Sequence, residues 1–185
     1  MSPEVLAGAI ASTKAVLASV SKDQLADSTP CASWDVAGLI NHMIGAQYFF
    51  IAGVQGDTPS GEAPDFAGGD FVAAFDEASA ASLAAFSADG VMESMLSTPI
   101  GQMPGAAFVG LASTDTFVHG WDLAKATGQS TDLAPELAAG LLAGAKASIQ
   151  EAFRGPEGAP FGPEQAAPAG ASNADQLAAF LGRSV

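Results

Sequence analysis

Positive charge is what this chain has least of. Six Lys and Arg stand against twenty Asp and Glu, a formal net charge of −14. Phosphate backbones and anionic lipid surfaces are held by clustered cations, so nucleic acid and membrane-surface partners are excluded. A single cysteine, Cys31, excludes an intramolecular disulfide and fits a reducing compartment, so a cytoplasmic location is expected. The N-terminal Met-Ser-Pro-Glu places no basic region ahead of the first apolar stretch, so no secretory signal is read there. No run approaches the roughly 18 apolar residues of a membrane span. With 49% hydrophobic residues and 14% charged ones, disorder is excluded as well. Period-two alternation is almost absent, which argues against a sheet.

What the chain does have is helical periodicity. Residues 3–20 read as a first helix, with Val5, Leu6, Ala9, Ile10, Val16 and Leu17 on one side and Pro3 where the first turn tolerates it. A second helix starts near Ser33 to Asp35, both N-cap types, and runs to about Gln55. Residues 56–69 are a Gly/Pro/Asp-rich loop of a length used for lids or left as surface slack. Asp70 caps a third helix that ends near Phe86. Residues 91–104 lose the helical period and suggest a short hairpin or an irregular crossover. Pro104-Gly105 launches a fourth helix that stops at Gly128-Gln129, and Pro135 opens a fifth. Residues 155–172 read as an extended tail pinned by Phe161, and Asn173 caps a short last helix. One domain spanning 1–185, all-α and built as a helical bundle, is expected.

Histidine is the other scarcity, and both copies fall in telling places. On the fourth helix the apolar stripe carries Phe108, Leu111, Ala112, Leu123 and Ala126, and Asp115, His119 and Asp122 lie on that same stripe. A carboxylate on a core-facing stripe costs several kcal/mol to desolvate unless a cation or strong donors meet it. Lys125 is placed to reach Asp122 but is more than two turns from Asp115. A bound ion is therefore the simplest partner for Asp115. The Asp-x-x-x-His spacing sets the two groups one turn apart, roughly 5–6 Å between Cβ atoms, and suits a single divalent ion. His42 sits at the edge of the second helix's apolar face, with Gly38, Gly45 and Ala46 around it, as for a ring reaching into a cavity. The expected ligand set is His42, Asp115 and His119, leaving room for water or substrate. Three protein ligands with an open position mark catalytic rather than structural zinc sites.

Plainer readings stand beside these. Each His or Asp on an apolar stripe is also a candidate for a hydrogen-bonded core residue, and H-E-x-x-H, the stronger metal signature, is absent. Trp34 and Trp121 either wall a substrate cleft or pack the bundle. Asp122 either orients His119, helps bind a water, or sits on the helix surface. Cys31 precedes a helix N-terminus, where thiol pKa values fall, yet a buried inert Cys is the commoner case.

Three blocks carry a resemblance: Thr29-Pro30-Cys31-Ala32-Ser33-Trp34-Asp35-Val36, Leu39-Ile40-Asn41-His42, and residues 118–128, Val-His-Gly-Trp-Asp-Leu-Ala-Lys-Ala-Thr-Gly. Together with the ending Asp175-Gln176-Leu177 to Phe180-Leu181-Gly182-Arg183, they resemble the metal-binding proteins related to the N-terminal domain of mycothiol-dependent maleylpyruvate isomerase, within the DinB/YfiT-like superfamily. The resemblance implies a four-helix bundle of up-down-down-up type that binds zinc or nickel through His42, Asp115 and His119. The family often has Glu where Asp115 stands, and an Asp brings the ion nearer its helix. It further implies transfer of a low-molecular-weight thiol such as mycothiol onto an electrophile, or isomerisation, with homodimers common. In the isomerase a second domain helps to bind substrate. The 185 residues leave no room for it, which argues against maleylpyruvate itself. The alternative is a bundle that a metal stabilises and that binds a ligand or partner without turnover.

Overall fold

The structure is a computed structural model that describes residues 1–58, 64–155 and 161–185. Residues 59–63 of the expected 56–69 loop and 156–160 of the expected tail lie outside the described residues. The elements are α1 (Pro3–Leu17), α2 (Val36–Gln55), α3 (Phe71–Phe86), β1 (Met95–Thr98), β2 (Gly101–Pro104), α4 (Gly105–Ala126), α5 (Pro135–Ser148) and α6 (Asn173–Phe180). Helix α1 packs on α4, α4 on α2, α2 on α3, and α3 back on α1, which closes a four-helix ring. Helices α5 and α6 pack on each other and against α4. This is the all-α, DinB-like bundle expected, with a short hairpin and a small C-terminal helix.

Local chemistry accounts for the boundaries. The Asp35 carboxylate accepts the Gly38 amide at 2.8 Å to start α2, and Asp70 accepts the Ala73 amide at 3.0 Å to start α3. Each such cap contributes about 1 kcal/mol. Helix α2 ends on Gly56 at φ 76°, a left-handed position that favours glycine. Within residues 91–104, residues 95–104 do form a hairpin, antiparallel with Met95 opposite Pro104 and Thr98 opposite Gly101. Helix α4 leaves the hairpin at Gly105, where a Cβ would lie 1.9 Å from the Val91 carbonyl oxygen, so only glycine lets the chain pass. Helix α1 stops at Leu17, short of the expected 20. The cap of α6 is also one residue earlier than its sequence suggests. Ser172, not Asn173, accepts the Asp175 amide at 3.1 Å, while Asn173 donates to the Pro135 carbonyl. Phe161 does pin the tail, pairing with Phe153 and Gly155 through backbone hydrogen bonds.

The core has three parts. Leu17, Leu39, Ile40, Ile44, Phe75 and Leu123 fill the space between α1, α2, α3 and α4. Phe50, Phe86 and Phe108 meet at the hairpin end. Trp121, Leu141, Leu177 and Leu181 form the third part, under α5 and α6. Each large apolar side chain so buried contributes about 1.5–3 kcal/mol. By length and mean hydropathy alone α2 is long and apolar enough to cross a membrane, although Asn41, His42 and Gln47 interrupt its apolar residues. Its Leu39, Ile40, Ile44 and Phe50 are buried in the bundle core, which accounts for that hydropathy.

Candidate metal centre

Helices α2 and α4 bring the chain's two histidines together. The His42 and His119 rings lie edge to face with centroids 4.7 Å apart. Asp115 is one turn before His119 on α4, and its Oδ1 is 3.6 Å from His119 Nε2. One ligand atom each from His42, Asp115 and His119 lies within 4.8 Å of the others. His42 Nε2 is buried and meets no hydrogen-bond partner. An imidazole with an orphaned nitrogen, beside a second imidazole and a carboxylate, is a donor set that a first-row divalent ion fits. The Asp115 side chain is one-quarter exposed, so the group has a wet side.

A second group, Cys31, His119 and Asp122, shares His119 with the first, but its charge is already met. Asp122 has no solvent exposure, and Arg183 grips it at two points: Nε donates to Oδ1 at 3.2 Å and Nη2 to Oδ2 at 2.9 Å. The Cys31 thiol donates to the same Oδ2 at 3.2 Å. Burial pushes the Asp122 carboxyl up, yet His119, Arg183 and their hydrogen bonds outweigh it and bring its pKa down to about 2. An ionised carboxylate only accepts. His119 Nδ1, 3.0 Å from Asp122 Oδ2, must therefore carry a proton and donate it. That leaves Nε2 as the nitrogen turned to Asp115. Burial pushes the His119 imidazole down, but the charge of Asp115 and hydrogen bonds to Asp115, Asp122 and Cys31 raise its pKa well above the ordinary value. Burial and the neighbouring His119 hold His42 low, so it stays neutral and able to ligate.

The loop before α2 supplies the outer wall. The Thr29 hydroxyl donates to the Trp34 carbonyl at 2.8 Å and accepts the Cys31 amide at 3.1 Å. That small turn sets Cys31 against Asp122 and lays the Trp34 ring on His42, 4.2 Å between centroids. Trp34 also fills the space that Gly38 leaves: a Cβ there would be 3.2 Å from the Trp34 Cβ. The room read beside His42 is thus partly taken by an indole, while Gly45 does border open space.

Trp121 is not part of this group. Its ring is fully buried under α5 and α6, and Nε1 donates to Asp175 at 2.9 Å, so of the two readings the packing one describes its position. Asp122 is no surface carboxylate. Lys125 does not meet Asp122 either; its Nζ lies 5.9 Å over the Trp121 ring. The cation that Asp122 needed is Arg183, which the sequence reading passed over. A buried carboxylate in a chain with six cations was the available signal, and Gly182-Arg183 at the end of the last helix was the partner to look for.

Residues 6–124 match the family described as the mycothiol maleylpyruvate isomerase N-terminal domain. The chain belongs to this family. It is also 44% identical, over 171 residues, to uncharacterised proteins of two Mycobacterium tuberculosis strains, CDC 1551 / Oshkosh and ATCC 25618 / H37Rv. In each case the alignment covers 92% of this chain and 91% of the relative. No solved structure matches the chain significantly. The matched family segment contains His42, Asp115, His119 and Asp122 but ends well before Arg183.

Proposed function

We propose that this protein binds one divalent metal ion, zinc or nickel, through His42, Asp115 and His119, and uses it to transfer a low-molecular-weight thiol of the mycothiol type onto a small electrophile, or to isomerise such an electrophile. The observation that carries the reading is the unpartnered, buried Nε2 of His42, a ring with a ligand atom within 4.8 Å of one each from Asp115 and His119. When bound, such an ion lowers the pKa of a thiol and holds it in the nucleophilic form. The protein's own groups do the rest. Asp122 keeps one proton of His119 on Nδ1, so Nε2 is the nitrogen whose proton a bound ion would displace to take the lone pair. Trp34 orients the His42 ring by stacking and shields it from water. The part-exposed Asp115 leaves the side on which a thiol and an electrophile approach.

Family membership supports the thiol chemistry by analogy. The test is conjugation. Protein loaded with Zn2+ is incubated with mycothiol and a panel of electrophiles, with H42A and chelator-treated protein as controls. Turnover that H42A and chelation abolish is expected. Absence of conjugation across the panel, with metal bound, would leave the second reading, a metal-stabilised bundle that binds a ligand or partner without turnover. Under that reading chelation lowers the melting temperature but no thiol is consumed.

A further inference from the structure

We propose that Arg183 is a positioning residue for this centre: the C-terminal helix reaches back across the bundle and holds the Asp122–His119 pair in the state that metal binding requires. The proposal rests on the metal-binding reading above. The Gly182 amide bonds to the Ala179 carbonyl at 3.0 Å and the Arg183 amide to the Ala178 carbonyl at 2.9 Å, while Gly182 takes φ 97°. This left-handed glycine stop turns the chain back on itself. A Cβ on Gly182 would lie 2.7 Å from the Gly162 Cα, so glycine is required there by conformation and by space.

The turn delivers Arg183 to Asp122. Three of its five N–H groups are committed, Nε and Nη2 to the two Asp122 oxygens and Nη1 to the Leu181 carbonyl at 3.1 Å, and Nη2 also lies 4.0 Å from the Cys31 sulfur. The side chain is only 16% exposed, which separates positioning from substrate binding. The two-point grip fixes the plane of the carboxylate, as a planar fork does and an ammonium does not. Oδ2 then faces His119 Nδ1, and the imidazole is held with Nε2 toward Asp115. Helix α6 is itself anchored by Leu177 and Phe180 in the core and by Asp175 on Trp121 Nε1. Losing the grip leaves a buried carboxylate with one cation fewer and an imidazole free to turn.

The experiment uses the full chain as wild type, R183M, R183K and H42A. Co2+ affinity is measured by chelator competition, together with the visible absorption of the Co2+ complex. In Zn2+-loaded protein, solvent exchange of the His119 Nδ1 proton is followed by NMR, which two histidines make simple to assign. R183M is expected to weaken Co2+ binding roughly 10–100-fold, alter the absorption and speed the proton's exchange, and R183K to recover only part of each. R183M that is folded and keeps wild-type affinity, spectrum and exchange, while H42A has lost binding, overturns the proposal and leaves the metal reading standing. Wild type that binds no Co2+, or binds it no better than H42A, overturns both. If R183M does not fold, R183K decides: a weaker, spectrally altered site supports the proposal and wild-type behaviour overturns it.

Discussion

Replacing Asp122 by Asn separates the charge of this carboxylate from its shape. In the metal-free protein the pKa of Asp122 lies near 2, against an ordinary 3.8. A depressed carboxyl adds stability that is fully present above the unfolded pKa and is lost as pH falls through the folded one. The shift corresponds to about 2 kcal/mol at neutral pH, of which about 1 kcal/mol is lost by pH 3. D122N lacks this contribution and leaves the mostly buried Arg183 without its counter-charge, a loss on the order of 3–5 kcal/mol for a broken buried pair. The assay is urea unfolding of wild type and D122N at pH 6, 4.5 and 3, with chelator present. The variant is expected to be several kcal/mol less stable at pH 6, and the gap to narrow by about 1 kcal/mol at pH 3. A gap that stays constant over this range would refute the assignment of Asp122 as the ionised partner of Arg183 and His119.

Three further outcomes follow from the packing. A methyl group at Gly120 would lie 2.4 Å from the Thr13 hydroxyl and 3.2 Å from the Thr13 Cα, so Gly120→Ala forces α1 off α4. It is expected to destabilise by about 1–3 kcal/mol in denaturant titration despite its helix propensity. Trp121→Phe removes the bond to Asp175 and part of a fully buried ring, and is expected to lower stability by about 1–3 kcal/mol in denaturant titration. In that variant Trp34 is the one remaining tryptophan, and its stack on His42 predicts strong quenching of its fluorescence by bound Co2+. Trp34→Phe, which keeps only Trp121, is expected to show weaker quenching.

The bundle was legible because each long helix repeats its apolar residues at the helical period, and because Asp35, Asp70 and Pro135 mark starts that the structure uses. His42, Asp115 and His119 stood out as polar groups on core-facing stripes. What escaped depended on distant parts of the chain. Arg183 is 61 residues from Asp122 and Cys31 is 91 residues from it, and no local period connects them. Trp121 was misleading through its closeness to His119: residues two apart on a helix face different sides, so it belongs to the α5–α6 core. The space beside His42 was misjudged for a related reason. Trp34 lies before the helix begins, where the Thr29 turn folds it over Gly38.

The most direct measurement is the metal content and divalent-ion binding of purified wild type beside H42A, D115A and H119A. One ion per chain in wild type, with binding lost or sharply weakened in each folded variant, is the predicted result. Wild type that takes up no divalent ion, or alanine variants that bind as well as wild type does, would contradict it.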